Sequence, residues 1–387
     1  MNLGKVIQTI LSEPDYVFQQ LFPLTLHGIN KSISNLSRGY SLPPKRLLIA
    51  LTTKCNLRCP MCVLWGEMGL EKSESPPQFM KEELNPAEIK RLIAQVSLYK
   101  PSIILTGGEP LLYKGWEEVA GYIRSKNLRL FMASGGMLIE ENAEELVKTI
   151  DHLQISLDGP EKRVHDESRG VKGSFEKVIS GIKAIAQIKK KRGERRPFIN
   201  VCYTISKVNY KYLNKTVNFL QSLKVEINEL AFQHLEFTDK KSLEKHQKIY
   251  QEEFGIETNF WSGFLYQPEG IDVNYLREEI KKVKERGQPG IKDIVFRPNL
   301  NLSEIDDYYT TDKLLPRYFR KCLAPWQEAF ILPNGDVWTC ADYIVGNIKK
   351  TTFKSIWNNQ KSRNLRKTLN KIKVFPICKT CASLYVY

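Results

Sequence analysis

Short apolar segments alternate with amphipathic segments along residues 46–237. The first pair is "RLLIALTT" (46–53) and "NPAEIKRLIAQVSLY" (85–99), in which Asn85 and Pro86 suit the first turn of a helix. The alternation predicts strands at 46–53, 102–108, 128–134, 152–159, 198–206 and 227–237. It predicts helices between these strands at 85–99, 116–125, 141–150, 174–188 and 211–223.

The six predicted strands are apolar on both faces. Strands of this kind are typical of a parallel sheet that is covered by helices. Right-handed crossovers wind such a sheet into an open or closed barrel, and its sites lie at the carboxyl ends of the strands. The sequence therefore predicts an α/β fold with a functional loop directly after the first strand.

The rest of the chain predicts three smaller regions, which are an N-terminal helical segment (1–45), a connecting or substrate-shaping insert (238–321) and a C-terminal unit (322–387). Within the insert, a helix is predicted at 274–286 and a strand near 291–300. The C-terminal unit contains a hairpin signal, "EAFILPNGDVWTC" (328–340), in which Asn334 and Gly335 favour a type I′ turn.

Composition is that of an ordinary globular protein, with 42% hydrophobic residues among 387. No apolar run is long enough to span a bilayer, and the N-terminus lacks the continuous apolar core of a signal peptide. These features predict a cytoplasmic protein whose thiols stay reduced. The net charge of +15 is concentrated at 189–196 and 361–373. A solvated cationic surface is favoured over a patch for acidic substrates, anionic membranes or nucleic acid.

Seven of the eight cysteines fall into two groups. The first group, Cys55, Cys59 and Cys62, lies just beyond the first predicted strand in "KCNLRCPMC" (54–62). Clustered cysteines in a reducing compartment are more often metal ligands than disulfides, and thiolates select zinc, copper(I) or iron–sulfur clusters. A closed zinc site needs a fourth ligand. A 4Fe–4S cluster held by three cysteines instead keeps one iron open for a small molecule.

This C-x3-C-x2-C motif after the first strand resembles that of the radical S-adenosylmethionine (radical SAM) enzymes. The resemblance implies a partial (β/α)6 TIM-like barrel of parallel strands at 46–237, with a 4Fe–4S cluster on the catalytic residues Cys55, Cys59 and Cys62. In that family the open iron binds S-adenosylmethionine (SAM). The reduced cluster cleaves SAM to a 5′-deoxyadenosyl radical, which abstracts hydrogen from substrate.

Further motifs agree with the resemblance. "GGEP" (107–110) follows the second strand, where relatives hold the methionine amino group, and "ISLDGPEKRVHDESRGVKGSF" (155–175) is similar to the fourth-strand signature of the branch with extra C-terminal clusters. "ASGGML" (133–138) stands where relatives usually show Asn-Gly. The residues that the resemblance implies for SAM binding are Met61 near the adenine, Gly107, Gly108 and Glu109, Ser134, Ser156 and Asp158 near the ribose, and Arg169 facing the carboxylate.

The second group of cysteines comprises Cys322, Cys340, Cys378 and Cys381. Its segments "CLAPWQEAFILPNGDVWTC" and "FPICKTC" resemble the SPASM/Twitch extension, a hairpin-plus-helix domain, and the small number of cysteines favours its one-cluster Twitch form. Four thiolates saturate one 4Fe–4S cluster, which indicates an auxiliary cluster for electron transfer. A four-cysteine zinc site is the alternative.

Four strand-borne polar residues have no assigned role. Cys202 is predicted to be a buried structural cysteine, with hydrogen donation to a substrate radical as the alternative. Gln154, His234 and Glu236 are candidates of the same kind.

The resemblance predicts a radical SAM enzyme, of oxidoreductase or transferase type, that acts on a small-molecule, glycan or lipid-type substrate. One alternative is a peptide (RiPP) or protein maturase of the same family. From another class, the alternative is a metal-stabilised nucleic-acid-binding protein. The predicted partners are the substrate, a flavodoxin- or ferredoxin-type reductant and a peripheral membrane surface. Nucleic acid is disfavoured because aromatic residues do not interleave with the basic runs.

Overall fold

The computed structural model describes residues 34, 37–74, 76–265, 268, 270–285, 290–312, 314–315 and 321–386. The predicted N-terminal helical segment lies, up to residue 33, outside the described residues.

Ten strands of the described chain form one sheet, in the order β10-β9-β8-β1-β2-β3-β4-β5-β6-β7. They are β1 (Arg46–Thr52), β2 (Ser102–Gly107), β3 (Leu130–Ser134), β4 (His152–Ser156), β5 (Phe198–Thr204), β6 (Glu229–Gln233), β7 (Ile294–Arg297), β8 (Glu328–Ile331), β9 (Asp336–Trp338) and β10 (Ile344–Asn347). Strands β1 to β7 run parallel in chain order, so the predicted α/β fold with parallel strands is confirmed.

The α-helices of the described residues are α1 (Pro86–Val96), α2 (Trp116–Ser125), α3 (Ala143–Thr149), α4 (Lys162–Arg169), α5 (Ser174–Arg192), α6 (Leu213–Ser222), α7 (Lys240–Phe254), α8 (Val273–Glu285), α9 (Glu304–Thr310), α10 (Ala324–Gln327), α11 (Phe353–Trp357), α12 (Gln360–Ile372) and α13 (Ala382–Val386). The short 3-10 helices are Leu70–Lys72, Gln78–Met80, Ser97–Tyr99, Pro110–Leu112, Phe260–Phe264 and Pro376–Lys379.

The two faces of the parallel strands differ in polarity. Ile103, Ile155 and Val201 are 0% exposed and belong to the apolar core. The opposite face carries half-buried polar side chains, among them Gln154 and Asn200, which lie side by side in register. The prediction that the strands are apolar on both faces is therefore wrong at these positions. It is correct at the β1 to β3 positions of the same face, where Leu48, Ile104 and Phe131 lie in register.

The C-terminal hairpin joins the same sheet. Strand β8 pairs in parallel with β1 and antiparallel with β9, so the chain from residue 328 extends the edge of the sheet beside the first strand. The hairpin turn is not type I′. Gly335 N–H donates to the Leu332 carbonyl at 2.9 Å, which places Pro333 and Asn334 at the turn centre, and only Gly335, after the centre, has a positive φ. Proline at the first central position, with its fixed negative φ, excludes type I′.

The insert is more regular than its sequence suggested. Its predicted strand forms β7, which pairs in parallel with β6 and becomes the seventh strand of the parallel series. Helices α7 and α9 flank the predicted helix α8. The insert therefore contributes both to the sheet and to the helical layer.

We expect Asn85→Ala to lower the free energy of unfolding by about 1 kcal/mol, because it removes a helix cap. Asn85 Oδ1 accepts from the Glu88 N–H at 3.0 Å, and the Glu88 carboxylate accepts from the Asn85 N–H at 2.8 Å. Urea unfolding measures the change. Asn85→Ser should keep most of the stability, and equal losses in both variants would contradict the capping role.

Candidate active site

Cys55, Cys59 and Cys62 lie in the loop that follows β1. Their side chains are half-buried and form no disulfide. Cys62 donates its backbone N–H to the Cys59 carbonyl at 3.0 Å, and Leu57 N–H lies 3.4 Å from the Cys55 sulfur. Burial raises the pKa of Cys55 to about 11. The loop thus presents three free thiols beyond the carboxyl end of β1.

Gly107 and Gly108, at the end of β2, pack against the start of this loop. Gly108 and Glu109 donate their backbone N–H groups to the carbonyls of Thr52 and Lys54, both at 2.8 Å. A Cβ on Gly108 would lie 2.2 Å from the Lys54 oxygen, so only glycine permits this contact of two backbones. The glycines therefore support the cysteine loop. Their contact with SAM stays a prediction.

The carboxylate of Glu109 is 0% exposed and joins β2 to β3. It accepts hydrogen bonds from the Leu111 N–H at 3.1 Å, from the Gly135 N–H at 2.8 Å and from the Ser134 hydroxyl at 3.0 Å. Burial raises the pKa of Glu109, and the two N–H donors act against that rise. Glu109 and Ser134 thus bind each other and hold two strand ends together. Direct contacts of either with SAM stay predictions.

Arg169, at the end of α4, connects the cysteine loop to the end of β4. Its guanidinium pairs with the buried Asp158 carboxylate at 2.8 Å and lies 3.7 Å from the Cys59 sulfur. The Arg169 carbonyl also accepts from the Arg58 N–H at 3.0 Å. Burial raises the pKa of Asp158, while Arg169 and the Thr204 N–H lower it. The contact predicted between Arg169 and the SAM carboxylate stays a prediction beside these two observed contacts.

Four further candidate residues lie outside the hydrogen-bond networks of Glu109 and Arg169. Ser156 is half-buried at the end of β4, in register with Cys202 of β5, whose sulfur lies 3.9 Å from the Gln233 amide oxygen. Met61 is half-buried within the cysteine loop. His234 is buried, and its Nδ1 lies 2.9 Å from the Tyr309 hydroxyl, which indicates a structural role.

The four C-terminal cysteines line one cavity of ≈ 340 Å³. Burial raises the pKa of Cys340 to about 11 and that of Cys322 to about 12. The pKa of Cys381 is raised first by burial and then by the charges of Cys378, Cys322 and Cys340, among others. The geometric observation is that all four thiols belong to the lining of this one cavity. The all-sulfur donor set fits a 4Fe–4S cluster.

The same cavity reaches the strand ends beside the first cysteine loop. Thr52, the last residue of β1, and Thr53 line it, and so do Thr106 and Gly107 at the end of β2. Glu236, after β6, lines it as well; burial raises the pKa of its carboxyl to about 7, although the Ala382 N–H donates to it at 3.1 Å. The cavity therefore extends from the second group of cysteines to Val63 and Leu64, the residues that follow Cys62 of the first group.

The sequence analysis missed two residues that support the second group. The Tyr250 hydroxyl lies 3.6 Å from the Cys340 sulfur and 3.2 Å from the Ala341 carbonyl oxygen. Asp342 accepts from the Phe260 N–H at 2.7 Å and so anchors the 3-10 turn Phe260–Phe264, which lines the cavity. For the contact of Asp342, the aromatic run "FWSGF" (260–264) was the available sequence signal. It lies about 80 residues before Cys340, so no local pattern linked the two segments.

Among the described residues, no group of three or more His, Cys, Asp or Glu side chains is arranged around a single metal ion. This holds for both groups of cysteines, so the geometry does not distinguish zinc from a 4Fe–4S cluster at the second group. Among the same residues, every helix is too short or too polar to cross a membrane.

Comparison with known proteins identifies two domains by sequence. Residues 49–220 match the radical SAM superfamily, and residues 322–382 match the SPASM iron–sulfur cluster-binding domain. The chain is 27% identical over 363 residues to the AdoMet-dependent heme synthase of Methanosarcina barkeri, covering 88% of this chain and 90% of that protein. It is 24% identical to the subtilosin biosynthesis protein AlbA of Bacillus subtilis, covering 82% of this chain and 60% of AlbA.

Solved structures show the same fold at low sequence identity. SuiB of Streptococcus suis superposes with a TM-score of 0.60 at 16% identity, covering 92% of this chain and 76% of SuiB. The enzyme anSMEcpe with bound AdoMet superposes with a TM-score of 0.55 at 19% identity, covering 86% of this chain and 88% of that one. The chain therefore belongs to the radical SAM superfamily, as an enzyme that uses SAM and iron–sulfur clusters and carries a C-terminal SPASM domain.

Proposed function

We propose that this radical SAM enzyme abstracts hydrogen from a small molecule bound in the cavity that extends from its second group of cysteines to the residues after the first group. Cys55, Cys59 and Cys62 would hold the SAM-binding 4Fe–4S cluster, and the four C-terminal cysteines would hold the auxiliary 4Fe–4S cluster. When bound, the first cluster and SAM supply the 5′-deoxyadenosyl radical that the superfamily uses. Oxidoreductase or transferase chemistry on the substrate follows from that radical.

The observation that carries the proposal is the extent of one cavity. Its lining includes Thr52 and Gly107 at the strand ends and all four cysteines of the second group. A substrate in this cavity would lie within reach of both cofactor sites. Its volume of ≈ 340 Å³ is at the lower end of the range for small-molecule sites and includes the space beside the four cysteines that the auxiliary cluster would occupy, so the remainder suits a small molecule only.

The chain's own residues would hold the first site rigid. Glu109 fixes the ends of β2 and β3 through buried hydrogen bonds. Burial raises the pKa of Cys59, and the Arg169 guanidinium 3.7 Å from its sulfur acts against that rise, in favour of the thiolate form that a cluster requires. Asp158 in turn orients that guanidinium. Groups that orient metal ligands in this way tune the metal site as well as position it.

Relatives act on substrates of two kinds, so the substrate class is our proposal. The relatives include a heme synthase and a GTP 3′,8-cyclase, whose names indicate small-molecule reactions. They also include AlbA, a protein of bacteriocin biosynthesis. SuiB has been crystallised with its precursor peptide SuiA. We favour a small molecule because of the cavity's size; a peptide maturase is the alternative. A cytoplasmic location, a flavodoxin- or ferredoxin-type reductant and peripheral membrane contact stay predictions.

Replacing Cys55, Cys59 or Cys62 with Ala should abolish 5′-deoxyadenosine formation on reduction. Iron should fall from about eight to about four per chain, because one of two four-iron clusters loses its ligands. Both quantities are measured after anaerobic reconstitution, by metal analysis and chromatography. Cys202→Ala is the matched control and should keep both. Parental 5′-deoxyadenosine formation by Cys59→Ala would refute the assignment of the first site.

Cys340→Ala and Cys378→Ala should also lower iron to about four per chain, yet should keep reductive cleavage of SAM. The reason is that the first cysteine loop takes its hydrogen bonds from β2 and α4, outside the C-terminal unit. Metal analysis of the parent protein distinguishes a 4Fe–4S cluster from zinc at the second site. About four irons with one zinc would assign the second site to zinc and contradict the auxiliary cluster.

Gly108→Ala should displace the first cysteine loop, because its Cβ would meet the Lys54 carbonyl oxygen at 2.2 Å. We expect iron near four per chain and at least about a tenfold loss of 5′-deoxyadenosine, with the second cluster retained. Gly121→Ala is the control, since a Cβ there meets nothing within 4 Å. Full iron content in Gly108→Ala would show that the backbone contact is dispensable.

A further inference from the structure

Asp158 lies two residues beyond β4 and is 0% exposed. One of its carboxylate oxygens pairs with Arg169 at 2.8 Å, and the other accepts from the Thr204 N–H at 2.8 Å. The Arg169 guanidinium in turn lies 3.7 Å from the Cys59 sulfur. The position of Asp158 therefore determines where the cation beside Cys59 lies.

Two buried side chains hold the backbone of Asp158. Its N–H donates to Nδ1 of His165 at 3.1 Å, and its carbonyl accepts from the side-chain amide of Asn209 at 3.1 Å. His165 and Asn209 are both 0% exposed. Asp158 lies in the loop between β4 and α4, where neither a strand nor a helix pairs these two buried backbone groups. The two side chains therefore fix the backbone on both sides of this residue.

Asn209 is itself held by the loop after β5. Its amide nitrogen also donates to the Thr204 carbonyl at 2.8 Å, and its Oδ1 accepts from the Ser206 N–H at 2.7 Å. These bonds fix one orientation of the amide, because the reversed amide would place an oxygen against two carbonyl oxygens. Asn209 thereby joins the end of β5 to the loop after β4.

His165 lies four residues before Arg169 in α4, so the two side chains are neighbours on one face of the helix. Burial, and then the charge of Arg169, lower the pKa of His165 to about 3, so its ring is neutral near neutral pH. A backbone N–H only donates, so Nδ1 is the acceptor and Nε2 carries the proton. Directly after the helix, a Cβ on Gly170 would lie 2.1 Å from the Arg58 carbonyl oxygen. The helix that carries His165 is thus in backbone contact with the first cysteine loop.

We propose that His165 and Asn209 are positioning residues for the first cluster. By fixing both backbone polar groups of Asp158, they hold the Arg169 guanidinium beside the Cys59 sulfur. A cation held at one ligand sulfur favours the reduced cluster, which carries one more negative charge, and so raises its reduction potential. The inference rests on the proposed function, which assigns that cluster to the first group of cysteines.

The test compares His165→Leu with His165→Asn. Leucine and asparagine have similar shapes, but only asparagine returns an acceptor to the Asp158 N–H. The first cluster is followed by EPR during potentiometric titration of the anaerobically reconstituted enzyme, with SAM added to distinguish the cluster that it binds. We expect His165→Leu to disfavour reduction about tenfold, a shift of about 59 mV to more negative potential. His165→Asn should recover about half of that shift or more.

A double-mutant cycle tests whether the effect passes through Arg169. Arg169→Gln removes the charge itself and should shift the potential in the same direction, by at least as much as His165→Leu. The combination of both changes should shift it no further than Arg169→Gln alone. Asn209→Ala should behave as His165→Leu does, because it releases the other backbone group of Asp158.

His234→Leu is the matched control. It removes another buried histidine with one hydrogen-bond partner, the Tyr309 hydroxyl, outside this network, and should leave the potential unchanged. Iron content and thermal unfolding verify that each variant is folded and holds both clusters. If His165→Leu does not hold both, Asn209→Ala provides the same comparison with the parent enzyme.

The parental potential in His165→Leu would overturn the inference, and so would equal shifts in His165→Leu and His165→Asn, which would assign the effect to lost packing. Additive shifts in the cycle, or the same shift in His234→Leu, would also overturn it. Iron analysis of Cys59→Ala separates the two proposals. Undiminished iron there refutes the proposed function, whereas iron loss there with the parental potential in His165→Leu refutes only the positioning role.

Discussion

The loop after β1 is the constraint on which the rest of the structure depends. Its three thiols lie within eight residues, and hydrogen bonds within the loop, such as that from the Cys62 N–H to the Cys59 carbonyl, join only near neighbours. Neighbouring strand ends therefore hold it from two sides. Gly108 and Glu109 bind the backbone at Thr52 and Lys54, and Arg169 binds the backbone at Arg58 and approaches the Cys59 sulfur. Parallel strands make this possible, because their carboxyl ends meet at one edge.

The buried carboxylates around this loop have hydrogen-bond and ion-pair partners within the protein. Glu109 accepts from three donors at the ends of β2 and β3, and Asp158 pairs with Arg169. A buried carboxylate without such partners would lower the stability of the fold, and its protonation would release the loops that it holds. Rigidity at the candidate SAM site therefore comes from a network within the protein, which is in place before any cofactor enters.

The second group of cysteines reaches the same cavity through strand pairing. Because β8 lies parallel to β1, the chain from residue 328 runs in the same direction as the strand that leads to Cys55. The hairpin then turns back through β9 and brings Cys340 to the cavity that Thr52 and Gly107 also line. The turn Phe260–Phe264 closes the arrangement, since it packs on Val63 and is bound by Asp342. The two candidate cofactor sites are thus brought together by the pairing of β8 with β1.

The sequence by itself determined the strand series, the helix cap at Asn85 and the two groups of cysteines, because periodicity, capping and ligand spacing are local properties of the chain. It also indicated the superfamily through motifs that follow particular strands. Only the tertiary structure decided that β7 and β8 flank the predicted six strands, that Gln154 and Asn200 lie side by side on one strand face and that Glu109 binds Ser134. It also placed the turn Phe260–Phe264 and the hairpin residue Trp338 in the lining of one cavity. These are contacts between residues far apart in the chain, and their partners are chosen by packing and by the burial of polar groups, which no local pattern encodes.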